Sequence, residues 1–334
     1  MKKTMIFTLA CVLLLNIGAV YSTENQKIAQ TGFQFLSVMS DAKAVAMGGA
    51  VNSIEMQSGA LFSNPATMAH MSEKISLSFS RNQWIADIDH NQVSLALNLM
   101  NGQIGVFGLS FQNVDYGDFI GTQVADIEAG YIRTGIFSPS AMVMGLGYAK
   151  GITDRFAVGG QAKMAYQDLG PASVPMEDIP DSTKKIDNDL SVWAYDFGTL
   201  FKTGWKSLAF GMSVRNFSRE VEFSTEGFQL PLVFTIGASM DLMDLVEWET
   251  DFDQSLYLSI DATHYRSHPE QLLVGLDYRL MNLLSLRAGF ATSSDEEDLS
   301  FGAGVSQFGF QLDYAYTPFG VFGNVQRVTA RFSM

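Results

Sequence analysis

The sequence predicts an all-β protein: a transmembrane antiparallel β-barrel of about fourteen strands, with an N-terminal segment inside its lumen. Three observations support this fold class. Apolar and small polar residues alternate with period two from residue 74 almost to the C-terminus. Short turns alternate with long connections along the same region. Hydrophobic residues make up 47% of the chain and charged residues only 17%, whereas an ordinary soluble domain carries about 25% charged residues.

Residues 1–22 have the three parts of a secretory signal peptide. Lys2 and Lys3 give a positive start, residues 5–20 are mostly apolar, and Val20 and Ser22 are small enough to flank a cleavage site. Cys11, the only cysteine, lies inside this segment, so the mature chain needs no disulfide or thiolate chemistry. No later stretch approaches the ~18 uninterrupted apolar residues of a membrane helix. We therefore expect export to the cell outer membrane.

Residues 23–72 are predicted to form an N-terminal periplasmic or plug segment. Residues 40–71 are rich in Gly, Ala, Ser and Met, with too few large apolar side chains for a core of their own. They are also too weakly charged for a disordered tail. We therefore expect this stretch to become ordered inside the barrel, as a fixed plug or as a movable hatch. The candidate plug residues are Met47, Gly48, Gly49, Asn64 and Pro65, since paired glycines permit a tight bend and Asn-Pro can terminate a turn or short helix.

Residues 73–334 are predicted to form the barrel. Leu77 and Phe79 alternate with serines, and Leu286 and Phe290 lie in a similar alternation near the C-terminus. Such patterns indicate strands with one buried face. Residues 123–133 are less regular and are predicted to be loop. The predicted strands lie near 74–82, 91–99, 103–113, 139–150, 155–168, 188–200, 205–217, 230–242, 254–264, 270–280, 284–292, 299–306, 307–317 and 324–333.

The connections between these strands are of two kinds. Tight turns fall at 100–102, 151–154, 202–204, 281–283 and 306–307, and longer connections at 114–138, 169–187 and 218–229. One connection on the short side, 243–253, is long and acidic. Short turns on one side and long loops on the other are typical of outer-membrane barrels, whose short turns face the periplasm.

A secreted β-sandwich is the alternative fold, because its strands also alternate. The outer face of a sandwich usually carries Lys, Glu and Thr, whereas the polar face here is Ser, Gly, Asn and Ala, which suits a crowded lumen. Aromatic residues such as Trp84, Tyr116, Trp205 and Tyr265 lie near strand ends, where the interfacial girdles of a barrel would be. These two features favour the barrel.

Three segments resemble the PorV/PorQ family of outer-membrane proteins, which is related to FadL-type fourteen-stranded transporters. Residues 42–50, AKAVAMGGA, are similar to the family's A-R-A-x-G-M-G-G-A, with Ala46 in place of Gly and Lys43 in place of Arg. Residues 62–66, FSNPA, resemble its N-P-A segment, and residues 146–159 resemble its strand–turn–strand core. Residues 214–217 and 230–232 resemble the same family more weakly.

The resemblance implies a component of type IX secretion, or a protein accessory to it. Barrels of that kind bind secreted cargo proteins, other secretion-system subunits or a surface partner, and they sit among outer-membrane lipids. The alternative is a FadL-like passive transporter of hydrophobic small molecules. Because the inward faces read as Ser, Gly, Asn, Asp and Arg, they favour a protein partner over a continuous apolar path. Acidic loops would also repel free fatty-acid carboxylates.

No catalytic, cofactor or metal constellation emerges from the sequence, so we expect a protein that is not an enzyme. Asp87, Asp89 and His90 are most simply solvated loop charges, and the same holds for the acidic turn at 295–298 and for Asp181, Asp187 and Asp189, although calcium favours such carboxylates. The glycines near residue 147 lie between strands and not before a helix, so they do not form a phosphate loop. A net charge of −14 disfavours nucleic acid. A surface hydrolase is a third class, which the absence of a nucleophile–base pair in the sequence disfavours.

Overall fold

The structure is a computed structural model that describes residues 31–175, 183–222, 227–245, 252–292 and 298–334. Fourteen strands close into an antiparallel barrel, which confirms the predicted fold class. The predicted signal peptide and most of the acidic turn at 295–298 lie outside the described residues. The barrel strands are β1 (Ile75–Gln83), β2 (Asp89–Asn98), β3 (Val106–Asp115), β6 (Ser140–Gly151), β7 (Phe156–Pro175), β8 (Thr183–Lys202), β9 (Ala209–Ser218), β12 (Val233–Asp241), β13 (Gln254–Tyr265), β14 (Gln271–Leu280), β15 (Leu284–Ala291), β16 (Leu299–Gln307), β17 (Phe310–Pro318) and β18 (Asn324–Ser333).

The barrel closes where the first strand pairs with the last. β1 and β18 run antiparallel, in register from Ser76 opposite Ser333 to Gln83 opposite Gln326. Closure removes the two open edges that a flat sheet would expose, and no unpaired edge can face lipid. The order around the barrel follows the chain, so successive connections alternate between its two ends. The tight turns lie at one end, together with the longer connection 242–253, and the long connections 116–139 and 219–232 lie at the other. We call these the short-turn end and the long-loop end.

The strands are polar inside and apolar outside, the reverse of a soluble protein. In β1, Ser78, Ser80 and Asn82 are buried while Leu77 and Phe79 are about half exposed. The same pattern recurs around the barrel at Leu146, Trp193, Leu286 and Leu312 and at many other outward positions. An exposed apolar belt of this kind is matched by a hydrocarbon environment. Among the described residues, no helix has the length and apolar character to cross a membrane.

Within the described residues, four short helices precede the first strand and lie inside the lumen. They are the 3-10 helices Gln34–Ser37, Gln57–Phe62 and Pro65–His70 and the α-helix α1 (Ala42–Ala46). Most residues from 40 to 68 are buried, and Asp41 caps α1 by accepting a 3.1 Å hydrogen bond from Ala44 N. We refer to residues 31–72 as the plug.

Two regions extend the barrel at its long-loop end and correct the predicted loops. β7 and β8 each contain 20 residues and stay paired out to Pro175 and Thr183. Asp187 and Asp189, predicted to lie in a loop, are therefore strand residues. At ~3.3 Å per residue these strands are far longer than the ~25 Å apolar band of a membrane barrel.

A hairpin outside the barrel occupies much of the connection predicted at 114–138, and its strands include both ends of the loop predicted at 123–133. It pairs β4 (Phe119–Val124) with β5 (Tyr131–Phe137), with a register shift between Gly121 and Thr122. Sequence reasoning missed it because neither strand has a buried face to set an alternating pattern. A second, very short pair joins β10 (Val221–Glu222) to β11 (Gly227–Phe228).

A bulge interrupts the pairing of β8 with β9. Tyr195 pairs with Phe217 and Phe197 with Val214, so two residues of β9, Arg215 and Asn216, oppose one residue of β8. Asn216 has a φ of 61° and is buried. The bulge thus turns both inserted side chains toward the lumen, which a regular strand cannot do.

The bulge also connects residues 214–217 to residues 230–232, the two segments whose resemblance to the PorV/PorQ family is weaker. Asn216 Nδ2 donates to the Pro231 carbonyl oxygen at 2.9 Å. Its Oδ1 accepts from Lys163 Nζ at 2.7 Å, and Lys163 also contacts Asp196 at 2.7 Å. Residues 214–217 and 230–232 therefore form one hydrogen-bonded unit in the wall.

Candidate functional site

Three predicted plug residues, Met47, Gly48 and Gly49, form the bend that follows α1. Gly48 and Gly49 have φ angles of 62° and 81°, a region that favours glycine. Gly48 N donates to Ser300 Oγ at 3.1 Å, and Met47 is fully buried. The bend lies directly against the backbone of β15, since a Cβ on Gly289 would collide with Gly48.

Asn64 and Pro65, the other two predicted residues, lie between two 3-10 helices: Gln57–Phe62 ends just before them, and Pro65–His70 begins with them. Asn64 Oδ1 accepts from Ala66 N at 3.1 Å and so caps the 3-10 helix Pro65–His70, with proline at its first position. Proline suits this place because its missing N–H would have no partner in the first turn. Asn64 Nδ2 also donates to the carbonyl oxygens of Asn52 at 2.7 Å and Thr199 at 3.0 Å.

Inward-facing glycines of the wall admit the plug. A methyl group added at Gly159 would lie 2.6 Å from Ala66 N, closer than any side chain tolerates. The same close approach to plug atoms occurs at Gly108, Gly147, Gly198, Gly211, Gly275, Gly289 and Gly302. The small residues of the plug and the glycines of the wall thus form complementary surfaces.

Polar side chains of the wall satisfy the backbone of the plug. Asn52 N donates to Asp261 Oδ2 at 2.8 Å, and Ala42 N donates to Thr329 Oγ1 at 2.8 Å. Arg215, at the bulge, donates to the carbonyl oxygen of Phe62 at 2.7 Å. The polar inward face that favoured a protein partner at the sequence level is occupied to a large extent by these bonds. The sequence feature that could have revealed these hydrogen bonds is the presence of charged residues at inward strand positions.

A cavity of about 570 Å³ lies at the long-loop end, between the start of the plug and the strand ends. We call it the aromatic chamber. It is lined by Thr31, Gly32, Phe33, Gln34, Phe35, Val38, Trp84, Ile88, His90, Tyr116, Gln167, Leu169, Gly227 and Phe228. None of these described lining residues is Asp, Glu, Lys or Arg. Its size and apolar lining are those of a small-molecule site.

Ring contacts build the chamber. The rings of Phe33 and Phe228 stack at 6.2 Å, and that of Phe35 lies 5.9 Å from Phe33. Trp84 contacts His90 edge-on at 6.4 Å. Burial raises the pKa of the Tyr116 hydroxyl, and a hydrogen bond with Gln167 opposes that shift only in part. Tyr116 therefore stays neutral at physiological pH.

The histidine and acidic candidates are divided between separate places. His264 pairs with Glu270 at 2.9 Å in an exposed position, and Asp89 pairs with Arg81 at 2.9 Å. His90 turns inward to the chamber instead. Within the described ranges, no group of three His, Cys, Asp or Glu side chains is placed to hold a metal ion.

Solved structures provide the comparison. No protein-family model matches the sequence, and no curated protein matches it as a relative. The chain superposes on the toluene transporter TbuX of Ralstonia pickettii with a TM-score of 0.56 and 12% identity, over 87% of this chain and 96% of that one. For the toluene transporter TodX of Pseudomonas putida the values are 0.54 and 13%, over 87% and 96%.

A FadL homologue of Pseudomonas aeruginosa superposes with a TM-score of 0.51 and 12% identity, over 88% of this chain and 98% of that one. This chain has a FadL-like fold. The plug that precedes the barrel belongs to that likeness. At these identities the resemblance concerns the fold, and the PorV/PorQ assignment remains an expectation from the sequence motifs.

Proposed function

We propose that this protein is an outer-membrane channel for neutral, hydrophobic small molecules. The aromatic chamber carries the proposal: it is a cavity of about 570 Å³ without a charged lining residue among those described, in a barrel with the fold of toluene transporters. A neutral ligand gains the free energy of apolar burial there, about 25 cal/mol per Å², and meets no charged side chain in the described lining. A carboxylate would find no cationic partner in the lining.

This function was the alternative at the sequence level, and the fold comparisons favour it over secretion. The argument for a protein partner rested on the polar inward strand faces. The plug uses that polarity for its own hydrogen bonds, while one of the apolar clusters of the lumen lies near the long-loop end, around Phe33, Phe35 and Leu230. The acidic loops, which would repel fatty acids, are compatible with uncharged ligands.

Uptake of radiolabelled toluene by cells that produce the protein tests this function. We expect a higher initial rate than in cells with an empty vector. Phe228→Asp places a carboxylate in the chamber and should lower the rate at least about tenfold, equivalent to about 1.4 kcal/mol. Phe308→Asp is the matched control, because Phe308 is 88% exposed in a tight turn at the opposite end. Equal rates for the wild type and Phe228→Asp would contradict the proposal.

A second candidate function is the type IX secretion role that the sequence resemblance implies, with cargo proteins or other secretion-system subunits as partners. The β4–β5 hairpin favours it, because Ile120, Val124, Ile127 and Ile136 are each more than half exposed outside the barrel, and exposed apolar patches mark interaction sites. An affinity pull-down from outer membranes with mass spectrometry tests this role. Recovery of no secretion component or signal-domain cargo would count against it.

A further inference from the structure

A second cavity, of about 290 Å³, lies at the short-turn end between the plug and the wall. Four cationic side chains line it: Lys43 from the plug and Arg279, Arg287 and Arg331 from the wall. We call it the basic cavity. The other lining residues are Glu55, Met56, Gln57, Thr67, Met71, Ser72, Glu73, Asn282, Ser285, Ser306 and Gln311. Two carboxylates, Glu55 and Glu73, belong to the same lining, so the cavity carries charges of both signs.

Three buried aspartates partly neutralise this cluster. Arg287 bridges two of them, with Nε 3.0 Å from Asp277 and Nη1 2.7 Å from Asp313. Arg331 Nη2 contacts Asp41 of the plug at 2.7 Å. All five side chains are almost fully buried, so these interactions are only weakly screened by water.

Lys43 is the cation of this cluster that has no ion-pair partner within the described ranges. Arg279 shares Asp277 with Arg287, so the three aspartates serve the three arginines, and Glu73 of the lining forms no ion pair with any of the four cations in the described residues. In the described part of the chain, no carboxylate lies within ion-pair distance of Lys43 Nζ, whose hydrogen bond goes to the Glu55 carbonyl oxygen at 3.3 Å. The Glu55 carboxylate pairs instead with Lys202 at 2.6 Å.

Donors remain unused at the same place. Arg331 Nε is buried and makes no hydrogen bond, although a buried donor without a partner is unfavourable by about 1–3 kcal/mol. An ammonium group has three donor hydrogens, and Lys43 uses one of them. Neutral side chains such as Ser285, Ser306 and Gln311 add further hydrogen-bonding groups to the lining.

We infer that the basic cavity binds a small oxyanion between the plug and the barrel wall. Lys43 in its protonated form supplies the charge that lacks a carboxylate, Arg331 the unused donor, and the neutral side chains complete the coordination. The lining is polar and contains no extended apolar face for an acyl chain, so the ligand is a compact anion. Because it contacts both plug and wall, the anion stabilises the seated plug by mass action.

Titration calorimetry on the mature chain in a non-ionic detergent tests this site. The probes are sodium sulfate, sodium acetate and sodium chloride at constant ionic strength. We expect sulfate or acetate to bind at least tenfold more tightly than chloride, and comparison of the two distinguishes tetrahedral from carboxylate anions. Lys43→Gln should weaken binding of the preferred anion at least tenfold. Arg155→Gln should not change it, because Arg155 lies in an exposed turn at the same end but outside the cavity.

Circular dichroism and heat-dependent gel migration verify that each variant is folded. If Lys43→Gln does not fold, Arg279→Gln takes its place, since its side chain is less buried than those of Arg287 and Arg331. Two results would overturn the inference. One is that neither oxyanion binds the wild-type protein more tightly than chloride. The other is equal weakening by the cavity variant and by Arg155→Gln.

Discussion

Asn64 and Asn52, both in the plug, are joined by a 2.7 Å hydrogen bond from Asn64 Nδ2 to the Asn52 carbonyl oxygen. Asn52 in turn accepts from Ser213 Oγ at 2.7 Å through its side chain and donates from Nδ2 to the Thr235 carbonyl oxygen at 3.1 Å. Together with the bond from Asn64 to Thr199, the pair links the middle of the plug to β8, β9 and β12. It is the polar centre of the plug.

Asn64→Ala should therefore destabilise the plug. The substitution removes the helix cap and leaves the carbonyl oxygens of Asn52 and Thr199 without this donor. We expect a loss of about 1–3 kcal/mol, measured by urea unfolding in detergent. Asn324→Ala is the control, because Asn324 is exposed at the start of β18 and its loss should change the free energy of unfolding by less than ~0.5 kcal/mol. Equal effects of the two substitutions would contradict this role for Asn64.

Gly159→Ala and Gly160→Ala form a matched pair at adjacent positions on opposite faces of β7. The new methyl group at Gly159 would lie 2.6 Å from Ala66 N of the plug, whereas at Gly160 its nearest atoms, at 3.3 Å and 3.6 Å, belong to β8. Gly159→Ala should shift the plug at an energetic cost of about 1–3 kcal/mol and expose residues 40–71 to protease. Gly160→Ala should leave the plug protected. Similar cleavage in both variants would show that the glycine does not govern plug seating.

Deletion of residues 40–71 tests whether the plug closes the lumen. A barrel of this width leaks small solutes unless something fills it, so we expect greater sensitivity to small antibiotics in cells that carry the deletion. Heat-dependent gel migration must first show that the barrel is inserted. Unchanged sensitivity with a correctly inserted barrel would show that this segment is not what closes the lumen to small solutes.

The lowered pKa of Lys43 should make the free energy of unfolding depend on pH. Burial, reinforced by Arg279, Arg287 and Arg331 and opposed by Asp277, lowers the pKa of this plug residue to about 7. The unfolded chain, with a lysine pKa near its usual value of about 10.4, thus binds the proton more strongly than the folded protein. The free energy of unfolding should rise with pH from about 7 toward 10. Lys43→Met should flatten this rise, while Lys206→Met, in an exposed turn, should preserve it; the readout is urea unfolding at several pH values.

The period-two alternation predicted the barrel well, because each strand has one face toward lipid and one toward the lumen. Leu77 and Ser78 illustrate the reason. Leu77 faces outward to lipid and Ser78 inward to the lumen, so the two adjacent positions require side chains of opposite polarity. The bend at Gly48 and Gly49 was likewise predictable from the sequence, because a left-handed backbone conformation favours glycine. The position of the plug followed from its composition, because small residues without a core must pack inside something larger.

The partners of the plug were not predictable in the same way. Asp41 and Arg331 lie at opposite ends of the sequence, and only closure of the barrel brings them together. The aromatic chamber was hidden for a similar reason, since Phe33, Trp84 and Phe228 come from three separate segments and none lies in a motif. The Asn-Pro pair does follow the end of the helix Gln57–Phe62, as predicted, but its role as the start of Pro65–His70 was not predicted, because asparagine can cap a helix start as readily as it can follow a helix end.

The distance along the chain between plug and wall sets an order of assembly. Asp41 is made among the first residues, yet its ion pair is with Arg331, 290 residues later, in the strand that seals the barrel against β1. The plug therefore cannot dock fully until synthesis, export and closure are finished. A docked plug therefore indicates that the last strand has paired with the first. A misassembled barrel stays open, and a correctly closed barrel is plugged as soon as it is complete.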